Sequence, residues 1–309
     1  MTLRSKLLAT AVAIAFAGSA HAAGCDKITF SDVGWTDITA TTAATTLVLE
    51  ALGYQTETQV LSVPVTYEGL AQGDIDVFLG NWMPTMESNI APYREAKTVD
   101  TIRANLEGAK YTLATNAKGA EIGIKDFADL GKHSADLDGK IYGIEPGNDG
   151  NKVILDMIGK DAFGTGKMEV VESSEQGMLA EVQRADTAGK PIVFLGWEPH
   201  PMNANFKMTY LTGGDDYFGP NFGGATVYTN TRAGYAGECA NTGKLLQNLV
   251  FSLPMENEIM GAILNDGKEP RDAAKAWLVA HPDVWKAWLA GVTTKDGGDA
   301  VAAVEAALK

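Results

Sequence analysis

The sequence predicts an α/β protein of two lobes with a ligand cleft between them, and three observations carry that reading. Short β-branched runs alternate with longer helical stretches, the pattern of βα units around a largely parallel sheet. The last part of the chain is almost wholly helical and has to pack back on an earlier layer. Finally, Gly34-Trp35-Thr36-Asp37, Gly80-Asn81-Trp82-Met83-Pro84 and Gly196-Trp197-Glu198-Pro199 each set a tryptophan just after a strand. In parallel α/β lobes, strand carboxyl ends border the crevice where ligands bind.

Residues 1–22 read as an export leader. Arg4 and Lys6 open it, residues 7–18 are apolar, and Ala20-His21-Ala22 supplies small residues for cleavage after Ala22. The apolar run is about a dozen residues, short of the roughly 20 needed to cross a bilayer. The expected location is the periplasm. Losing the cations Arg4 and Lys6 takes the formal charge from −14 to −16, which disfavours a nucleic acid partner through repulsion of phosphates.

Cys25 and Cys239 are the two cysteines. An oxidising compartment favours a bridge between them. Lipid attachment at Cys25, for which Ala22-Ala23-Gly24-Cys25 is a weak signal, and free thiols are the alternatives.

In chain order, residues 27–33 suggest a strand, 38–52 a helix stopped by Gly53, 54–63 a strand, 66–72 a helical turn and 76–79 a strand. Helical text covers 85–96, and a strand follows at 111–115. A helix at 124–130, a strand at 141–144, a helix at 151–158, a strand at 168–171, a helix at 175–185 and a strand at 191–195 complete the middle. Residues 213–224 read as a loop or crossover, and 226–229 as a strand. Helices follow at 242–251, 255–265, 270–281, 282–290 and 300–308, with Pro270 and Pro282 at first helical positions, where a missing amide proton costs nothing. This order divides into a first lobe of 23–112 and 215–309 and a second of 113–214. A bridge between Cys25 and Cys239 would then join two pieces of one lobe.

Three tryptophans from separate strand ends, with Tyr111 near the lobe junction, can present several aromatic faces to one ligand. Such faces suit a quaternary ammonium, whose charge is spread over methyl groups that cannot donate strong hydrogen bonds. The ordinary role of a tryptophan beside a strand is packing, and Trp277, Trp285 and Trp288, inside helical text, fit that role. What sets Trp35, Trp82 and Trp197 apart is their shared context.

On the residues GWTD at 34–37, GNWMP at 80–84, YTLAT at 111–115, EPGNDGN at 145–151 and GWEPH at 196–200, the chain resembles the substrate-binding proteins of glycine betaine and choline ABC transporters. The likeness runs over essentially the whole chain after the leader. It implies the type II periplasmic binding protein fold, a hinge, and a Cys25–Cys239 disulfide. It further implies an ammonium cage of Trp35, Trp82, Tyr111 and Trp197, with Asp37 and Asn148 addressing the charge and the hydroxyl end. The expected protein is a monomer without cofactor or metal that hands its ligand to an inner-membrane ABC permease.

Asp37 has an alternative as a helix N-cap, served equally by Thr36, and Asn148 has one in an Asn-Asp-Gly turn. Among ligands, choline is a cation with a hydroxyl, whereas glycine betaine is neutral overall and ends in a carboxylate. The loops named above hold Asp37, Glu145, Asp149 and Glu198 against His200 and Lys152, an asymmetry that favours choline over glycine betaine, with acetylcholine as a weaker guest. Receptors for amino acids or polyamines should carry more acids and fewer rings. An enzyme is the rival by class, but no HExxH, GxSxG, GxxxxGK[ST] or paired-cysteine motif occurs, and His133, His200 and His281 are scattered.

Overall fold

The computed structural model describes residues 24–309; the leader expected at 1–22 and its cleavage point lie outside the described residues. Nine strands form one continuous, curled sheet: β1 Lys27–Asp32, β2 Gln55–Val60, β3 Val77–Met83, β4 Val99–Asn116, β5 Lys140–Tyr142, β6 Glu169–Val171, β7 Val193–Glu198, β8 Met208–Tyr210 and β9 Gly224–Arg232. The order is β2-β1-β3-β9-β4-β7-β5-β6, with β8 also on β4. β1 pairs in parallel with β2 and β3, and β5 in parallel with β6 and β7. The two parallel sets are joined by antiparallel β9 and β4. This is the two-lobed type II binding protein architecture, with a cleft between the lobes.

β4 is the element that reaches both lobes. From Val99 to Lys110 it pairs with β9, and from Lys110 to Thr115 with β7. A strand was expected only at 111–115. The earlier part escapes pattern reading because register shifts interrupt it between Thr101 and Arg103, Ala104 and Leu106, and Leu106 and Ala109. Each shift changes which face a side chain takes and erases the two-residue alternation. The helix expected at 124–130 is a single 3-10 turn, Phe127–Asp129, held by an Asp126/Asp129 capping box. Residues 213–224 are not irregular throughout: they contain two short helical turns, Asp215–Phe218 and Pro220–Gly223.

The first helix, Thr36–Ala51, is buried on nearly every side, against the helices Leu253–Leu264 and Pro270–Ala280. It tolerates so many threonines there because their hydroxyls bond back to its own carbonyls: Thr41 to Asp37, Thr45 to Thr41 and Thr46 to Ala43. Pro270 and Pro282 each open a helix. Trp285 and Trp288 are buried structural rings whose indole N–H groups donate to the carbonyls of Leu278 and Val250. Cys25 and Cys239 are joined by a disulfide across 214 residues, which ties the entry to β1 to the C-terminal helical layer.

Candidate functional site

The site begins where β1 turns into its helix. Gly34 adopts φ +82°, open to glycine at little cost, and its N–H donates to Asp32 Oδ1 at 2.7 Å. Trp35 follows in an extended conformation at the helix N-cap position, with no side-chain cap of its own. The capping alternative for Thr36 and Asp37 is therefore not what the helix uses. Its first amide is met from the other lobe: the Thr36 N–H donates to Glu175 Oε2 at 2.9 Å, and the Thr36 hydroxyl donates to Glu175 Oε1.

Trp82 lies near the end of β3, opposite Val227 of β9. Tyr111 and Trp197 are direct partners across β4 and β7, which fixes their rings as neighbours. The Trp82 and Tyr111 centroids are 6.0 Å apart at 63°, and those of Tyr111 and Trp197 are 6.2 Å apart at 85°. These edge-to-face pairings stand around a small cavity lined by Trp35, Asp37, Trp82, Tyr111, Ile144 and Trp197. Ile144, the one apolar aliphatic in the wall, carries no signal in the sequence beyond ending a strand.

All four aromatic residues and Asp37 are buried. The Trp82 indole N–H donates to Asp37 Oδ2 at 3.1 Å, while Asp37 Oδ1 is buried without a partner. Burial, reinforced by the charge of Glu175, pushes the Asp37 carboxyl up to about 8. A carboxylate oxygen in an aromatic wall can accept from a hydroxyl or face a cation.

Asn148 is not in the cavity wall. It stands behind Tyr111, whose hydroxyl donates to Asn148 Oδ1 at 2.9 Å, and the same oxygen caps helix Asp149–Gly159 by accepting from the Asn151 N–H at 3.1 Å. A Cβ at Gly150 would collide with the Tyr111 hydroxyl, so glycine is what allows that phenol to reach the helix N-terminus. Glu145, in the loop before this helix, accepts the Trp35 indole N–H with both oxygens at 3.0 Å. Burial pushes its carboxyl up to about 7, and that of Asp149 up to about 6. Glu175 was missed as part of the site: in sequence it is one acid in the first turn of an ordinary helix, 139 residues from its partner Thr36. Lys152 faces a different groove, with Asp156, Lys160 and Asp216. Among the described residues no group of three or more acids, histidines or cysteines is arranged to hold a metal ion.

Comparison with known proteins places the chain in a family. Residues 26–280 match the substrate binding domain of the ABC-type glycine betaine transport system. The chain belongs to this family. Within it, an ABC-transporter choline binding protein solved in complex with choline is 70% identical, with a TM-score of 0.92, covering 92% of this chain and 99% of that one. An ABC-transporter choline binding protein in an unliganded semi-closed conformation gives 71% identity and a TM-score of 0.85 over 92% of this chain and 99% of that one. The glycine betaine/carnitine transport binding protein GbuC of Listeria monocytogenes is 30% identical over 127 residues, 41% of this chain and 41% of that relative's length. Family members are transport receptors rather than a class of enzymes.

Proposed function

We propose that the protein binds choline in the periplasm as a monomer and delivers it to the permease of an ABC transporter, without transforming it. The observation that carries this reading is the conjunction of four buried aromatic side chains with the unpartnered Asp37 Oδ1 in one small cavity. Each ring face contributes roughly 0.5–2 kcal/mol to a trimethylammonium group. Asp37 supplies the counter-charge, or accepts the choline hydroxyl. The higher TM-score to the choline complex than to the unliganded form, 0.92 against 0.85, supports reading the present conformation as closed.

Capture and closure are one equilibrium. Closing the empty cleft buries the Asp37 carboxylate or obliges it to take up a proton, both unfavourable at neutral pH. A bound cation removes that penalty, so the ligand favours the closed state by differential contact. Calorimetric titration with choline and with glycine betaine tests the assignment. Choline should bind far more tightly, and equal or reversed affinities reject the role given to Asp37 and leave a general betaine receptor.

A further inference from the structure

Two carboxylates outside the cavity wall cross the cleft to the same dipeptide. Glu145 follows β5 and Glu175 opens helix Glu175–Ala188, both in the lobe of β5, β6 and β7. Their partners, Trp35 and Thr36, begin the helix of the opposite lobe. Glu145 holds the Trp35 indole N–H with both oxygens at 3.0 Å. Glu175 receives the Thr36 N–H at 2.9 Å and the Thr36 hydroxyl. We infer that Glu145 and Glu175 are a two-point clasp that sets how long the closed receptor keeps its ligand, acting by positioning Trp35 and Thr36 rather than by touching the ligand.

The chemistry of each point supports this role. Glu175 is fully buried beside His200, with an Nε2 to Oε1 distance of 3.2 Å. His200 Nδ1 accepts the Met202 N–H at 2.9 Å, so the ring proton sits on Nε2 and donates to Glu175. Three donors thus converge on one carboxylate: a backbone amide, a hydroxyl and an imidazole N–H. The N-terminal end of helix Thr36–Ala51 adds a favourable partial positive charge at that point. Such an acid is held in place by its own lobe through His200 and completes its donor set only when the other lobe arrives. Glu145 is likewise tethered at home, accepting from Asn148 Nδ2 at 3.3 Å, and fixes one ring of the cage from across the cleft.

Bonds made only after closure slow release and leave encounter untouched. Stopped-flow tryptophan fluorescence with choline therefore separates this role from a general loss of fold. Glu145→Ala and Thr36→Val should each raise koff roughly 10- to 100-fold, the range for a lost hydrogen bond to a buried charge. Changes in kon should stay within about threefold. Glu145→Gln, whose amide oxygen still accepts one indole N–H, should recover part of the slow release. Unchanged koff in Glu145→Ala and Thr36→Val, or an effect confined to kon, overturns the clasp. The probe rests on the choline reading; should the wild-type protein bind only glycine betaine, that reading alone fails and the same rates are read with glycine betaine.

Discussion

The Trp82 indole N–H donates to Oδ2 of Asp37 at 3.1 Å, and the other oxygen of that buried carboxylate, which belongs to the wall of the aromatic cavity, has no partner. The aromatic wall and the buried carboxylate are therefore one unit.

Asp37→Asn keeps the shape and an acceptor for Trp82 but removes the charge. Choline affinity should fall by about 3 kcal/mol or more, the cost of breaking a buried charged pair, while a neutral zwitterion such as glycine betaine loses much less. Calorimetry on the variant with both ligands reads the difference directly.

Phenylalanine substitutions should separate the two tryptophans. Trp197 is held by packing on Tyr111 and on His200, whose ring is 4.9 Å away, so Trp197→Phe keeps a π face and should lose roughly 1 kcal/mol of choline binding. Trp82→Phe also frees Asp37 Oδ2 and should cost about 2–3 kcal/mol. Equal losses would show that the Trp82–Asp37 bond contributes nothing.

The buried acids give a pH signature. Asp37, Glu145 and Asp149 are pushed up to about 8, 7 and 6, each chiefly by burial. Folded values above the unfolded ones mean that the stability these groups give the ligand-free closed form is complete below their unfolded values and is lost as pH rises through about 6 to 8. Choline restores a partner to the ionised site, so its stabilising shift in Tm should be larger near pH 8 than near pH 5. Melting curves with and without choline at both pH values test this, and an equal shift would remove Asp37 from the binding equilibrium.

The disulfide should matter for stability and not for the ligand. Cys25 and Cys239 are 214 positions apart in sequence and lie outside the cavity wall. Replacing both with serine should lower unfolding stability by about 2–5 kcal/mol with choline affinity unchanged, as measured by denaturant titration and calorimetry.

Much of this was legible in the residues, for identifiable reasons. A glycine just before a tryptophan at the end of an apolar run singled out Trp35, Trp82 and Trp197, although only Gly34 takes a left-handed conformation, Gly80 and Gly196 lying within β3 and β7. Proline marked the helix starts at 270 and 282 because only there is its missing donor harmless. Contacts between distant segments were not legible. Nothing near Glu175 announces Thr36, and nothing in Asn148 distinguishes facing a ligand from bracing Tyr111. The first part of β4 was hidden by its own register shifts, and β8, three residues long, is too short to show a period.

β4 bears on how such a receptor can be emptied and reused. Val99 at one end lies beside Arg232 of β9, and Asn116 at the other lies beside Met208 of β8, so a single unbroken strand belongs to both cores. Severing the chain once cannot yield two independent pieces, since either fragment would carry away part of its neighbour's sheet. Moving one lobe against the other with this strand intact is a flexure of shared backbone rather than the parting of two separate bodies.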